Sequence, residues 1–200
     1  RFVLPMWDLS IGFGSDILTT LNYYAIGDPL TLLAALVPGS RTEYLYAVLI
    51  VIRIYLSGMA FIMFCRYHKN QGTGVLLGAV TYCFSGFVLF CGARHPYFIN
   101  PMIYLPLILI GIDKIFNREK PWFFVGMTAI SAISNFYFFY MIAIVMVIYA
   151  VFRYLMIYGR IRIKEMVPWL LKFAGWSFLG IGIAMPILLP SAMYVLGTGR

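Results

Sequence analysis

Residues 121–152, PWFFVGMTAISAISNFYFFYMIAIVMVIYAVF, run for thirty-two positions without a charged side chain. One helix crossing a bilayer needs about 20 apolar residues, so the run is too long for a single upright span. Basic residues flank both ends: Arg118 and Lys120 before it, Arg153, Arg160, Arg162 and Lys164 after it. Positive residues beside membrane spans stay cytoplasmic, which puts both ends on one side. The run must therefore enter and return, with its turn near Ser134–Asn135. At about 16 residues and about 24 Å per crossing, the hairpin is short for a full bilayer. We expect it to reach, or nearly reach, the outer interface.

The rest of the composition fits this frame. Apolar residues make up 62% of the 200-residue chain and charged residues 11%, against about 25% charged in a soluble domain. The charge-poor runs are too long for barrel strands of about 10 alternating residues. The expected fold is an all-α, polytopic transmembrane helical bundle with about six crossings, counting the short hairpin. A net charge of +8 can signal nucleic acid, but ten of the cations fall in three short segments between spans. That is topology, with contact to anionic membrane lipid, and no nucleic-acid partner is expected. Cys65, Cys83 and Cys91 are odd in number and lack metal-ligand spacing, so they read as small buried hydrophobes. The chain opens on Arg1 and stops after Arg200, as a piece of a larger membrane protein would.

Residues 1–43 hold most of the acids and turn formers and form an extracytoplasmic loop region; residues 44–200 form the bundle. Spans are expected at about 44–65, 73–92, 101–116 and 167–189, besides the hairpin. The last closes on Pro186 and Pro190, and its Gly175, Gly180 and Gly182 suit close helix packing. Counting crossings from the basic loop at 66–72 places 1–43, 93–100, 134–137 and 191–200 outside.

The outer face gathers the polar groups that topology does not explain. Asp16, in SIGFGSD, can serve as a general base or as a helix cap; Asp8 is a weaker candidate, and Asp28 before Pro29 looks like turn chemistry. Arg94–His95 can grip a phosphate in bidentate fashion, or Arg94 can merely touch lipid headgroups. Arg53, nine residues into an apolar span, can face a lipid phosphate or pair with a structural acid, and Asp113 lies too far toward the other side to be that acid. Tyr23, Tyr24, Tyr97 and Tyr137 are either an interfacial aromatic belt or stacking surfaces for a sugar, with Asn22, Asn100 and Asn135 reading its hydroxyls.

The strings ARHPYFINPMIYLPLILIGIDKIF, ISNFYFFYM and GFGSD…NYYAIGDPLTLLAALVP resemble the YfhO family of bacterial membrane proteins, over nearly the whole chain. The resemblance implies a GT-C-class glycosyltransferase of the cell membrane with an extracytoplasmic functional face. Such an enzyme takes sugar from a polyprenyl-phosphate-linked donor to a cell-envelope glycopolymer acceptor, such as lipoteichoic acid in Gram-positive bacteria. In that class the catalytic acid usually follows the first span, which the resemblance would put upstream of Arg1. No metal or other cofactor is expected, because lipid-phosphate donors do not demand one. The alternative from another class is a transporter or flippase of lipid-linked sugars.

Overall fold

The computed structural model describes residues 7–8, 14–16, 27–159 and 163–197. Two short strands, β1 (Trp7–Asp8) and β2 (Ser15–Asp16), pair antiparallel with Trp7 opposite Asp16. Two 3-10 turns, Thr31–Leu36 and Gly39–Arg41, lead into the helices. These are α1 (Thr42–Tyr67), α2 (Thr73–Cys83), α3 (Gly86–Arg94), α4 (Asn100–Phe116), α5 (Trp122–Ser134), α6 (Phe136–Tyr158) and α7 (Ile163–Gly197). The chain is an all-α bundle. Among the described residues four helices are long and apolar enough to cross a membrane, and the bent pair α2–α3 makes a fifth if counted as one span.

Helix α4 is the axis of the bundle, because NPMIYLPLILIGIDKIF is apolar on every side and so can be buried all round. In the most apolar stretch of Pro96–Phe116, which is mostly α4, 61% of residues are buried, against 11% in that of Met166–Leu189 within α7. Ile103, Ile108, Ile112 and Ile115 of α4 form one core with Ala60 of α1, Phe124 of α5, Met146 of α6 and Phe173 of α7. Pro106 lies inside α4 and has no N–H to give the carbonyl four residues back, that of Met102. The Tyr82 hydroxyl of α2 donates to that carbonyl instead, at 2.9 Å, so a neighbouring helix supplies the bond. Tyr82→Phe is expected to destabilise the protein by about 1–3 kcal/mol, the cost of a buried acceptor without a donor; a thermal unfolding series in detergent measures it.

The doubling back of residues 121–152 can be traced from contacts. Phe124, near the start of α5, lies against Gly111 toward the C-terminal end of α4. Ser134, the last residue of α5, accepts a hydrogen bond from Asn100 in the first turn of α4. Helix α6 then returns, and its Tyr149 and Arg153 reach Asp113 near the C-terminal end of α4. The break falls at Asn135, where the backbone is extended (φ −164°, ψ 111°) and the side-chain oxygen accepts from the N–H groups of Tyr137 and Phe138. Asn at the N-cap thus starts α6 as it ends α5. The 13 residues of α5 make about 20 Å of helix, short of a hydrocarbon core of about 30 Å.

Three expectations need correction. The span at 73–92 is two helices bent by 42°, broken at Phe84–Ser85 just before Gly86, where a Ser-Gly pair favours a turn. The last helix does not close at Pro186 or Pro190 but continues to Gly197, as membrane helices can when neighbours absorb the lost bonds. Of Gly175, Gly180 and Gly182, Gly180 alone makes a close helix contact; around Gly175 and Gly182 nothing stands within 4 Å of an added Cβ.

Candidate functional site

Among the described residues two polar clusters interrupt this apolar bundle, at opposite ends of α4. Thirteen residues separate Asn100 from Asp113, about 20 Å along the helix.

The first cluster is built on Arg53 of α1, which is 2% exposed. Its Nε donates to Asn100 Oδ1 at 3.0 Å, and one terminal nitrogen donates to the Asp28 carboxylate and, at 3.0 Å, to Thr31 Oγ1. The Asp28 carboxylate also accepts from Leu30 N–H at 3.1 Å and from the Thr31 hydroxyl. Asp28 therefore makes the turn its sequence suggests and closes an ion pair as well, fully buried. Asn100 passes the network on by donating from Nδ2 to Ser134 Oγ at 3.2 Å, and the Tyr104 hydroxyl also points at Ser134. A charge in an apolar bundle is costly unless paired, and here the pairing ties the segment before α1 to α1, α4 and the tip of the hairpin. The gap bounded by Asn100, Tyr104, Ser131 and Ser134 has no room for a water molecule. The cluster is a closed lock, not an open cavity.

Around that lock lie the surface groups singled out in the sequence. The HPYF turn and the hairpin tip form one aromatic assembly: Phe98 meets Phe138 edge-on at 4.8 Å, and Phe138 meets Phe87 of α3 at 6.5 Å. His95 and Tyr97 join it through Phe98, at 5.1 and 5.5 Å, with His95 Nδ1 3.1 Å from the Tyr97 hydroxyl. Arg94 and His95 are exposed, and the Arg94 guanidinium lies 5.1 Å over the Phe90 ring. Tyr137 is half-exposed beside Phe138. The structure thus gathers Arg53, Arg94, His95, Tyr97, Asn100, Asn135 and Tyr137 at one end. Of the two roles open to Arg53, pairing with an acid is the one realised. Asn100 has both amide atoms engaged, and the side-chain oxygen of Asn135 caps a helix. For Asp8 and Asp16 the structure describes only backbone, one register step apart on β1 and β2. Asn22, Tyr23 and Tyr24 lie outside the described residues.

The second cluster centres on Asp113, also fully buried. Arg153 Nε lies 2.7 Å from one carboxylate oxygen, while His68 Nε2 and the Tyr149 hydroxyl approach the other at 3.0 and 2.8 Å. It joins α4 to α6 and to the end of α1 as the first cluster joins α4 to α1 and α5. Asp113 is indeed not the partner of Arg53. The turn at Asp28 is legible in the sequence, but its pairing with Arg53 and this staple are not; the available signal was that each of the two ionised groups inside an apolar run, Arg53 and Asp113, needs an opposite charge.

The chain matches the family model described as "Bacterial membrane protein YfhO" over residues 4–200. It is 26% identical over 199 residues to a Bacillus subtilis (strain 168) protein named "Uncharacterized protein YfhO". That match covers 92% of this chain and 23% of the relative, so the chain spans about a quarter of the relative's length. No solved structure matches the chain. With the family pattern running from residue 4 to the last residue, over a bundle of apolar helices, this chain belongs to the YfhO family of bacterial membrane proteins.

Proposed function

We propose that this chain is part of a membrane glycosyltransferase that moves a sugar from a polyprenyl-phosphate carrier to a cell-envelope acceptor such as lipoteichoic acid, on the extracytoplasmic side. The observation that carries this reading is the separation of the two ends. Loops 68–72 and 117–121, which carry Lys69, Arg118 and Lys120, share one end with Asp113 and Arg153. The exposed Arg94–His95 pair, the aromatic assembly and the locked first segment share the other. The positive-inside tendency supports assigning the second end to the outside, where an exposed Arg is out of place as a topology signal and in place as a phosphate ligand.

In this reading Asp16 or Asp8 takes the proton of an acceptor hydroxyl as its oxygen bonds to the anomeric carbon. The bond from that carbon to the carrier phosphate breaks, and polyprenyl phosphate leaves with the electron pair. Arg94 and His95 hold the leaving phosphate, and charge stabilisation there is the larger contribution. Arg53 acts at one remove, by fixing Asp28 and with it the segment that carries the acids. Tyr97 and Tyr137, with Asn22, Tyr23 and Tyr24, provide faces and amides for the sugar. A flippase of lipid-linked sugars is the second reading, favoured by the bend between α2 and α3, since broken helices are common around transported substrates.

The test is transfer of labelled sugar from a polyprenyl-phosphate donor in membranes holding the full-length protein. Arg94→Ala is expected to lower transfer by about 100-fold or more, the effect of removing one oxyanion ligand, while the protein stays in the membrane at normal level. Unchanged transfer would remove Arg94 from the mechanism. Movement of the donor across the bilayer without transfer would replace the enzyme with the flippase.

A further inference from the structure

We infer that the opposite, cation-rich end carries a built site for a phosphate group, formed by Arg118, Trp169 and Lys172. These residues and Pro168 line a cleft of about 350 Å3 between the α4–α5 connection and α7. Three features make it more than a patch of surface charge. First, both cations lack an acidic partner among the described side chains, whereas nearby Lys114 meets Glu119 and Arg153 meets Asp113. Two other clefts at this end differ. The one at Tyr67, His68 and Lys69 includes Glu119 in its wall, and the one at Arg66 has a single cation beside Asn70 and Gln71.

Second, the floor is rigid. Trp169 stacks on Phe116 at 5.2 Å with rings inclined by 20°, and the Lys172 ammonium lies 5.6 Å over the Trp169 ring. The lysine is held by a cation–π contact against a ring fixed to α4. Third, Arg118 sits just past the end of α4 with φ +62°, in the left-handed region. Glycine is the favoured residue there, so the side chain stands at a position local structure alone would give to glycine, as that of Lys69 also does. A guanidinium and an ammonium over an indole floor match a phosphate monoester or diester. Basic pockets between membrane helices at the positive end hold lipid headgroups in this way. The ligand chemistry is therefore a phosphate group, carried either by an anionic phospholipid or by a soluble phosphate compound. The site is distinct from the donor-phosphate position proposed at Arg94, about the length of α4 away.

Native mass spectrometry of the purified full-length protein, given equal phosphatidylglycerol and phosphatidylcholine, tests it. Wild type is expected to retain phosphatidylglycerol in preference, and Arg118→Gln/Lys172→Gln to lose at least 5-fold of that retention. Both side chains are exposed, so the fold survives, which an unchanged unfolding midpoint verifies. Arg66→Gln/Lys69→Gln, in the other two clefts, is the charge-matched control and keeps the preference. A second arm titrates inorganic phosphate: saturable binding lost in the Arg118/Lys172 variant, with no lipid preference, assigns the site to a soluble phosphate. Equal loss in both double variants would show diffuse charge attraction and overturn the inference. So would the Arg118/Lys172 variant behaving as wild type in both arms.

Discussion

Asp28→Ala is expected to destabilise the protein by about 3–5 kcal/mol, the cost of leaving a buried charge without its counter-ion. Arg53 is 2% exposed and Asp28 fully buried, so little solvent is at hand to take over from the lost carboxylate. The Thr31 hydroxyl and Asn100 oxygen remain as acceptors, but neither carries charge. Arg53→Met is expected to cost a similar amount, for it strands the carboxylate of Asp28 in turn. The double variant Asp28→Ala/Arg53→Met is expected to be more stable than either single one, since removing both charges removes the burial penalty along with the attraction. Cys83 and Cys91 are buried free thiols, so a thiol-reactive dye reports unfolding in a heating series. If the two single costs simply add in the double variant, the ion pair is not what holds the first segment down.

The same lock shows why some of the architecture is legible in the sequence and some is not. The hairpin is legible because two independent constraints meet in it: a run too long for one span, and cations at both ends. Its turn is legible because Asn135 is a residue with a capping side chain amid apolar ones. Arg53 is legible as a residue that needs an explanation, but its partner is not. Asp28-Pro29 fits a turn completely, and the carboxylate does make that turn through Leu30 and Thr31. A local role that is satisfied hides a distant one. Pro106 is visible as a helix breaker, yet nothing in the sequence pairs it with Tyr82, twenty-four positions away. The Asp113 staple draws on His68 at the end of α1 and on Tyr149 and Arg153 of α6, far from Asp113 in the chain, so only the packed bundle brings them together. The locked cluster also revises the candidate site: a buried Arg that looked ready for a ligand already holds an acid, so in the proposed mechanism the donor phosphate falls to the exposed Arg94 instead.

The largest packing effect is expected at Gly111, and it separates glycines that the sequence treats alike. A Cβ at Gly111 would stand 2.8 Å from the Cα of Phe124 and 2.9 Å from its Cβ. The obstacle is backbone, so no rotamer change relieves it; α5 would have to move off α4. At Gly180 the obstacles are Thr128 Cβ at 2.9 Å and the Val125 carbonyl at 3.0 Å, which would push α7 off α5. Gly111→Val is expected to cost about 3 kcal/mol or more, at or above the upper end for overpacked cores, and Gly180→Val a little less, because part of its clash is with a side chain. Gly126→Ala and Gly182→Ala meet nothing within 4 Å and are expected to be neutral or stabilising by up to about 1 kcal/mol through helix propensity. The same thiol-dye melt ranks all four. Displacing α5 has a further consequence, because its last residue, Ser134, is bonded to Asn100, which holds Arg53. Gly111→Val combined with Asp28→Ala should therefore cost less than the sum of the two, each having already loosened the contact the other depends on. Full additivity would mean that the α4–α5 packing and the buried ion pair stabilise the bundle independently.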